Sequence, residues 1–128
     1  MSEFKVKIEF KIEEETIKNL LTSALEGGSN YWYYLPDLSM CAPSDGKTPT
    51  VTRIWNAIKE GKRVPVQDYE SGEHLGYISW EGIKHGIGIM ADDKDMKHHL
   101  LAAIEQQDDA ETGDVFLQYV VMGELVYA

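Results

Sequence analysis

Four consecutive aromatic residues, Tyr31 to Tyr34, form the stretch of this sequence best suited to binding a ligand. Aromatic rings beside Asn30 could stack on a flat ligand such as a nucleobase, and the Asn30 amide would supply a hydrogen bond. Arg53 is one of only two arginines and could anchor an anionic group. Gln118 lies in an apolar run, where we expect it to be buried and hydrogen-bonded. We therefore predict five ligand-binding residues: Asn30, Tyr31, Trp32, Arg53 and Gln118.

The aromatic run also has a purely structural interpretation. Its rings could cover the end of the core where the preceding helix finishes, because aromatic side chains dominate buried area. If the segment is extended, neighbouring side chains point to opposite sides, so all four rings cannot line one pocket. Both interpretations stay open at this stage.

Acidic residues near the C-terminus predict a second kind of site, a protein contact formed by Asp109, Glu111 and Asp114. Together with Asp108 and a second acidic group, Asp92, Asp93 and Asp95, they could form negative rows spaced like nucleic-acid phosphates. Such a surface would capture the basic groove of a nucleic-acid-binding protein, and electrostatic steering would raise the association rate. The alternative is that these acids simply occupy two helix N-termini, as the helix dipole favours.

Motifs for catalysis and metal binding are missing from the sequence. Glu81 and His85, like Asp95 and His99, have a spacing that places two side chains on one helix face, but so acidic a chain contains such pairs by chance. HExxH, EF-hand and G-x-S-x-G motifs are absent, and Cys41 has no nearby histidine in the sequence. We expect no metal and no cofactor, and we expect a binding protein rather than an enzyme, although a small nucleotide-processing enzyme stays an alternative.

Length, charge and cysteine content exclude further classes of function. The chain has 128 residues, and 12 Lys and Arg against 22 Asp and Glu give a net charge of −10. This length suits one domain. The negative charge disfavours direct binding to nucleic acid or anionic lipid. The single cysteine, Cys41, allows no intrachain disulfide, and the longest uncharged run, Gly27 to Pro36, is about half of a membrane span. Charged and apolar residues alternate from Glu3 to Ile12, so we expect no signal peptide. These features favour the cytoplasm.

Hydrophobic periodicity predicts the elements that must position these residues. Apolar residues alternate with charged ones over 4–12, which predicts a strand, and the helical stripe from Ile17 to Leu25 predicts a helix capped by Thr16 and ended by Gly27-Gly28. Residues 29–49 form an irregular segment rich in aromatics and prolines. A helix follows over 51–58.

The second half predicts a hairpin with strands 64–69 and 74–78, then a helix capped by Ser79 and a helix that begins at Asp92-Asp93. Residues 115–122 fit a buried helix or strand, and we favour a helix with Asp109 as N-cap, followed by a short strand over 125–127. The prediction is a single small α+β domain over residues 1–128, with a short antiparallel sheet and several packed helices.

Two blocks resemble a family of small phage and prophage proteins. Residues 24–32 resemble its A-x-E-G-G-x-N-Y-W block, and residues 109–127 resemble its D-A-x-T-A-D-x-x-x-Q … F-G-E-x-V-Y ending. The chain departs from this pattern at Gly113 and Met122, where alanine and phenylalanine are usual. Because the family carries no assigned reaction, the resemblance implies a phage origin and little chemistry.

From these observations we expect a phage-encoded, non-enzymatic protein in the bacterial host cytoplasm that counters a host defence. Its expected partner is a small nucleotide-like ligand, sequestered by the five predicted binding residues, or alternatively a basic host defence protein. Homo-oligomerisation would help to enclose the ligand, since so small a domain rarely encloses a ligand alone.

Overall fold

The computed structural model describes residues 3–6, 9, 11–105 and 110–127. These residues form five α-helices and a three-stranded antiparallel sheet, so the predicted α+β class is confirmed. The helices are α1 (Glu14–Ser23), α2 (Thr50–Lys59), α3 (Trp80–Asp92), α4 (Lys97–Ile104) and α5 (Ala110–Met122), and the strands are β1 (Tyr33–Tyr34), β2 (Val64–Asp68) and β3 (His74–Ile78). A five-residue π-helical segment, Ala24–Gly28, extends α1.

Helix α5 is the centre of the domain and packs against α1, α3 and β3. The residues of its middle are buried almost all round, including Phe116 and Leu117, which have no exposed surface. The apolar run 115–122, which fitted a buried helix or strand, is helical as predicted. Tight packing at α5 depends on glycines, because a Cβ at Gly86 of α3 would lie 2.9 Å from the carbonyl carbon of Tyr119.

The predicted hairpin is confirmed, and its two strands, β2 and β3, form most of the sheet. Strand β2 pairs with β3 on one side and with β1 on the other, so the strand order is β1-β2-β3. Pro65 pairs with Tyr77 of β3. It is tolerated in this central strand because β1 is only two residues long and pairs with Gln67 and Asp68, so β1 does not extend to Pro65.

Several sequence predictions fail at the chain's less regular parts. The helix predicted to begin at Asp92-Asp93 begins at Lys97 instead, because Asp92 is the last residue of α3. The described residues among 4–12 form no strand, and Phe4 and Val6 are 92% and 76% exposed, because alternation alone does not provide a partner strand. Helix α1 begins at Glu14 rather than after Thr16. Residues 125–127 form no strand either, since the Gln118 side chain accepts the backbone hydrogen bonds of Val126 and Tyr127. The predicted N-cap Asp109 lies outside the described residues.

Candidate functional site

An open groove with three tyrosine rings lies beside the junction of β1 and β2. We call it the tyrosine groove; it has a volume of about 460 Å³ and is lined by Asn30, Tyr33, Tyr34, Leu35 and Tyr69. No lining side chain carries a charge at neutral pH, so the walls offer aromatic faces, phenol hydroxyls and one amide.

Pairing between β1 and β2 brings the rings of the groove together. The backbone N–H of Tyr69 donates to the Trp32 carbonyl oxygen at 2.7 Å, which places Tyr69 opposite the start of the aromatic run. The Tyr33 hydroxyl donates to the Leu25 carbonyl oxygen at 2.7 Å and so ties β1 to the end of the π-helical segment. Burial raises the pKa of Tyr33, which keeps this phenol protonated.

Two rings of the groove are available to a ligand. Tyr34 is 53% exposed and Tyr69 is 62% exposed. Both exposed rings line the same groove, where a flat ligand could contact them. The structure therefore provides two stacking faces at fixed positions, with Asn30 at the same groove.

Trp32 lies in the turn before β1 and does not line this groove, although its ring meets the ring of Tyr33 edge to face at a centroid distance of 6.1 Å. Its ring is 1% exposed, and its indole N–H donates to the Asp114 carboxylate at 2.8 Å. The same carboxylate oxygen accepts from the Ser29 hydroxyl at 2.8 Å, and the other oxygen accepts from the Tyr31 hydroxyl at 2.5 Å. The prediction that Trp32 lines a ligand pocket is therefore corrected, because this ring is part of the core.

Gln118 is 1% exposed and extends the same polar network. Its amide N–H₂ donates to Asp114 at 3.3 Å and to the Tyr127 carbonyl oxygen at 3.1 Å, while its amide oxygen accepts from the backbone N–H of Val126 and of Tyr127. The Tyr127 ring in turn stacks on Trp32 at a centroid distance of 5.1 Å. Gln118 is buried and hydrogen-bonded, as predicted, but its polar atoms hold the chain together rather than face a cavity.

Two tyrosines of this region have a raised pKa, so their hydroxyls stay protonated and act as hydrogen-bond donors. Burial, followed by the hydrogen bond to Asp114, raises the pKa of Tyr31 to about 12. Burial, followed by the hydrogen bond to Asp68, raises the pKa of Tyr127 to about 12. Conversely, the Tyr127 hydroxyl and the backbone N–H of Ser71 lower the pKa of Asp68 to about 2. Asp68 is thus an acceptor that fixes the turn beside the groove.

The predicted set of ligand residues separates into three places. Asn30 lines the tyrosine groove, while Trp32 and Gln118 belong to the buried network with the hydroxyl of half-exposed Tyr31. Arg53 lies on α2, where its Nε donates to the Ala42 carbonyl oxygen at 2.9 Å, and it does not line the groove. Sequence reasoning missed Tyr69, because only the register of β1 on β2 brings it to Asn30.

The three predicted protein-contact residues, Asp109, Glu111 and Asp114, do not form one surface among the described residues. Glu111 is exposed in the first turn of α5. Asp114 is half-buried, and both of its carboxylate oxygens accept hydrogen bonds from residues 29–32, so it links α5 to that segment. Asp109 lies outside the described residues.

Within residues 3–6, 9, 11–105 and 110–127, no group of three or more His, Cys, Asp or Glu side chains is arranged to hold a metal ion. Over the same residues, no helix has the length and apolar character that crossing a membrane requires. A comparison of the chain with protein families, curated proteins and solved structures finds no match.

Proposed function

We propose that this chain is a phage-encoded, non-enzymatic binding protein that sequesters a small nucleotide-like ligand by holding its base in the tyrosine groove. The observation that carries the proposal is the groove itself, in which the exposed rings of Tyr34 and Tyr69 stand beside the Asn30 amide. Base stacking on aromatic side chains contributes about 1–3 kcal/mol per base.

Size and charge indicate which part of the ligand enters. A volume of about 460 Å³ falls within the range of small-molecule sites, about 300–1,000 Å³. The lining residues include no lysine or arginine, and the whole chain carries −10, so the groove offers nothing to neutralise a phosphate. The base therefore enters the groove, and any phosphate points to solvent.

The biological part of the proposal depends on the resemblance to phage proteins. The two blocks that carry it contact each other, because the Asp114 carboxylate in the second block binds Ser29 and Trp32 in the first. These blocks therefore maintain the framework of the groove. In the host cytoplasm, a phage protein that sequesters a nucleotide-like signal would interrupt the defence that depends on that signal.

Thermal unfolding in the presence of nucleosides and nucleotides tests the proposal. A ligand at 100 times its Kd stabilises the folded state by about 2.7 kcal/mol, which gives a clear rise in melting temperature. For the ligand that binds, Tyr34→Ala and Tyr69→Ala should each weaken binding about fivefold to a hundredfold, the equivalent of one lost stacking face.

Phe4→Ala is the matched control, because Phe4 is an exposed aromatic residue (92%) that does not line the groove. It should leave the affinity unchanged. A broad nucleoside and nucleotide panel without any rise in melting temperature would overturn the proposal. Binding that survives both tyrosine substitutions would also overturn it, because the ligand would then lie elsewhere.

A further inference from the structure

A second cavity, of about 240 Å³, lies at the other end of β2, where the end of α2 meets the start of α3. We call it the cationic cavity. Its polar and aromatic walls are Lys59, Lys62, Arg63, Ser79, Trp80 and Glu81. Three of the chain's 12 lysines and arginines thus lie around one small space in a protein of net charge −10.

Local backbone structure explains why these three residues line one cavity. Helix α2 ends at Lys59, and Gly61 adopts a φ of +89°, which turns the chain sharply into β2. Lys62 and Arg63 therefore lie between the helix end and the strand. Across the cavity, Ser79 caps α3 by accepting from the Gly82 N–H at 2.9 Å, so the positive end of the α3 dipole faces the same region.

The three cationic side chains differ in their present partners. Lys59 pairs with Glu14 at 2.9 Å and Lys62 pairs with Glu60 at 3.2 Å, and all four side chains are 44% to 64% exposed. Such exposed pairs contribute little, so a ligand can compete for these lysines. Arg63 stacks on the Tyr77 ring at 4.2 Å, and no described carboxylate lies within 4 Å of its guanidinium nitrogens.

We propose that the cationic cavity binds the terminal phosphate group of a phosphate monoester. A volume of about 240 Å³ is below the range for whole ligands but suits one such group. The planar guanidinium of Arg63 matches a phosphate in a bidentate geometry, and the lysines add mobile ammonium donors. Glu81 opposes the anion and limits its affinity.

This site is separate from the tyrosine groove and does not depend on it. The two lie at opposite ends of β2, and five strand residues span about 17 Å. A nucleoside without phosphate would use the groove alone, whereas a phosphate monoester without a base would use the cationic cavity alone. The two proposals can therefore fail independently.

The test is a titration of the ¹⁵N-labelled full chain with inorganic phosphate and with methyl phosphate, at constant ionic strength maintained with sodium chloride. We expect saturable amide shifts confined to residues 58–63 and 79–82. Arg63→Gln should weaken binding about tenfold or more, because a charge-assisted bidentate contact is lost. Glu81→Gln should strengthen binding, since it removes the opposing carboxylate.

Lys94→Gln is the control, because it makes the same change in charge at an exposed residue away from the cavity. It should leave the affinity within about twofold of that of the unaltered chain. Shifts that do not saturate, or an Arg63→Gln affinity equal to that of Lys94→Gln, would overturn the proposal. Equal binding of dimethyl phosphate, a diester with a single charge, would likewise overturn the assignment to a monoester.

Discussion

Substitution of Asp114 by alanine should destabilise the domain more than any other single change at a charged residue of α5. Its carboxylate accepts hydrogen bonds from the Ser29 hydroxyl and the Trp32 indole, and both of these residues are buried, with exposures of 0% and 1%. A buried donor left without an acceptor costs about 1–3 kcal/mol, so two such donors give a loss of about 2–6 kcal/mol. The free energy of unfolding of a native domain is about 5–15 kcal/mol, so this loss would remove a large part of the stability.

Asp114→Asn separates the contribution of charge from that of the acceptor. The amide keeps one oxygen for Ser29 and Trp32, so we expect a smaller loss, of about 1–3 kcal/mol, from replacing charged with neutral hydrogen bonds. Urea unfolding followed by far-UV circular dichroism measures both variants without depending on the Trp32 environment. The order of stability should be Asp, then Asn, then Ala.

Glu111→Ala is the matched control, because it removes one carboxylate from an exposed position of the same helix. Its effect should stay within about 0.5 kcal/mol. If Asp114→Ala changes the free energy of unfolding by no more than Glu111→Ala, the reasoning about the buried network is refuted. A double-mutant cycle of Asp114→Ala with Ser29→Ala should show coupling of about 0.5–3 kcal/mol.

Two further predictions concern packing and titration. Gly86→Ala should lower the free energy of unfolding by about 1–3 kcal/mol, because its Cβ would press on the Tyr119 backbone. Gly88→Ala should raise it by about 0.5–1 kcal/mol, because the space around Gly88 is open and alanine favours a helix. Urea unfolding of both variants measures this contrast, and equal effects would contradict it. Tyr127→Phe should raise the pKa of Asp68 from about 2 toward its ordinary 3.8, and a carboxyl ¹³C titration that shows no rise would contradict the hydrogen bond. Because the lowered pKa stabilises the fold above about pH 4 and this contribution is lost as pH falls toward 2, the stability difference between the two chains should shrink over that interval.

Local patterns predicted the elements whose partners are near in sequence. The hairpin 64–78 was predictable because its two strands flank a short turn that contains Gly72, which has a φ of +72°. The alternating segment 4–12 failed as a strand because a strand also needs a neighbour, and local sequence does not reveal whether one exists.

The candidate site was only partly predictable for the same reason. The aromatic run drew attention to residues 30–34, but tertiary contacts decide between pocket and core, because Asp114 of α5 binds the buried Trp32 whereas Tyr34 stays exposed. Tyr69 joins the groove through pairing over more than thirty residues of chain. The role of Asp114 required knowing that α5 packs next to the end of α1, which no local period indicates.

The link between Asp114 and the segment 29–32 spans 82 to 85 positions of sequence. A nascent chain that has emerged from the ribosome only as far as β3 holds a tryptophan and a serine whose donors have no acceptor, and an apolar surface that α5 has not yet covered. Contacts of such long range close slowly, and the exposed intermediate is prone to aggregate. Formation of this network requires α5, so fusions or truncations that delay α5 should increase the dependence of the chain on chaperones.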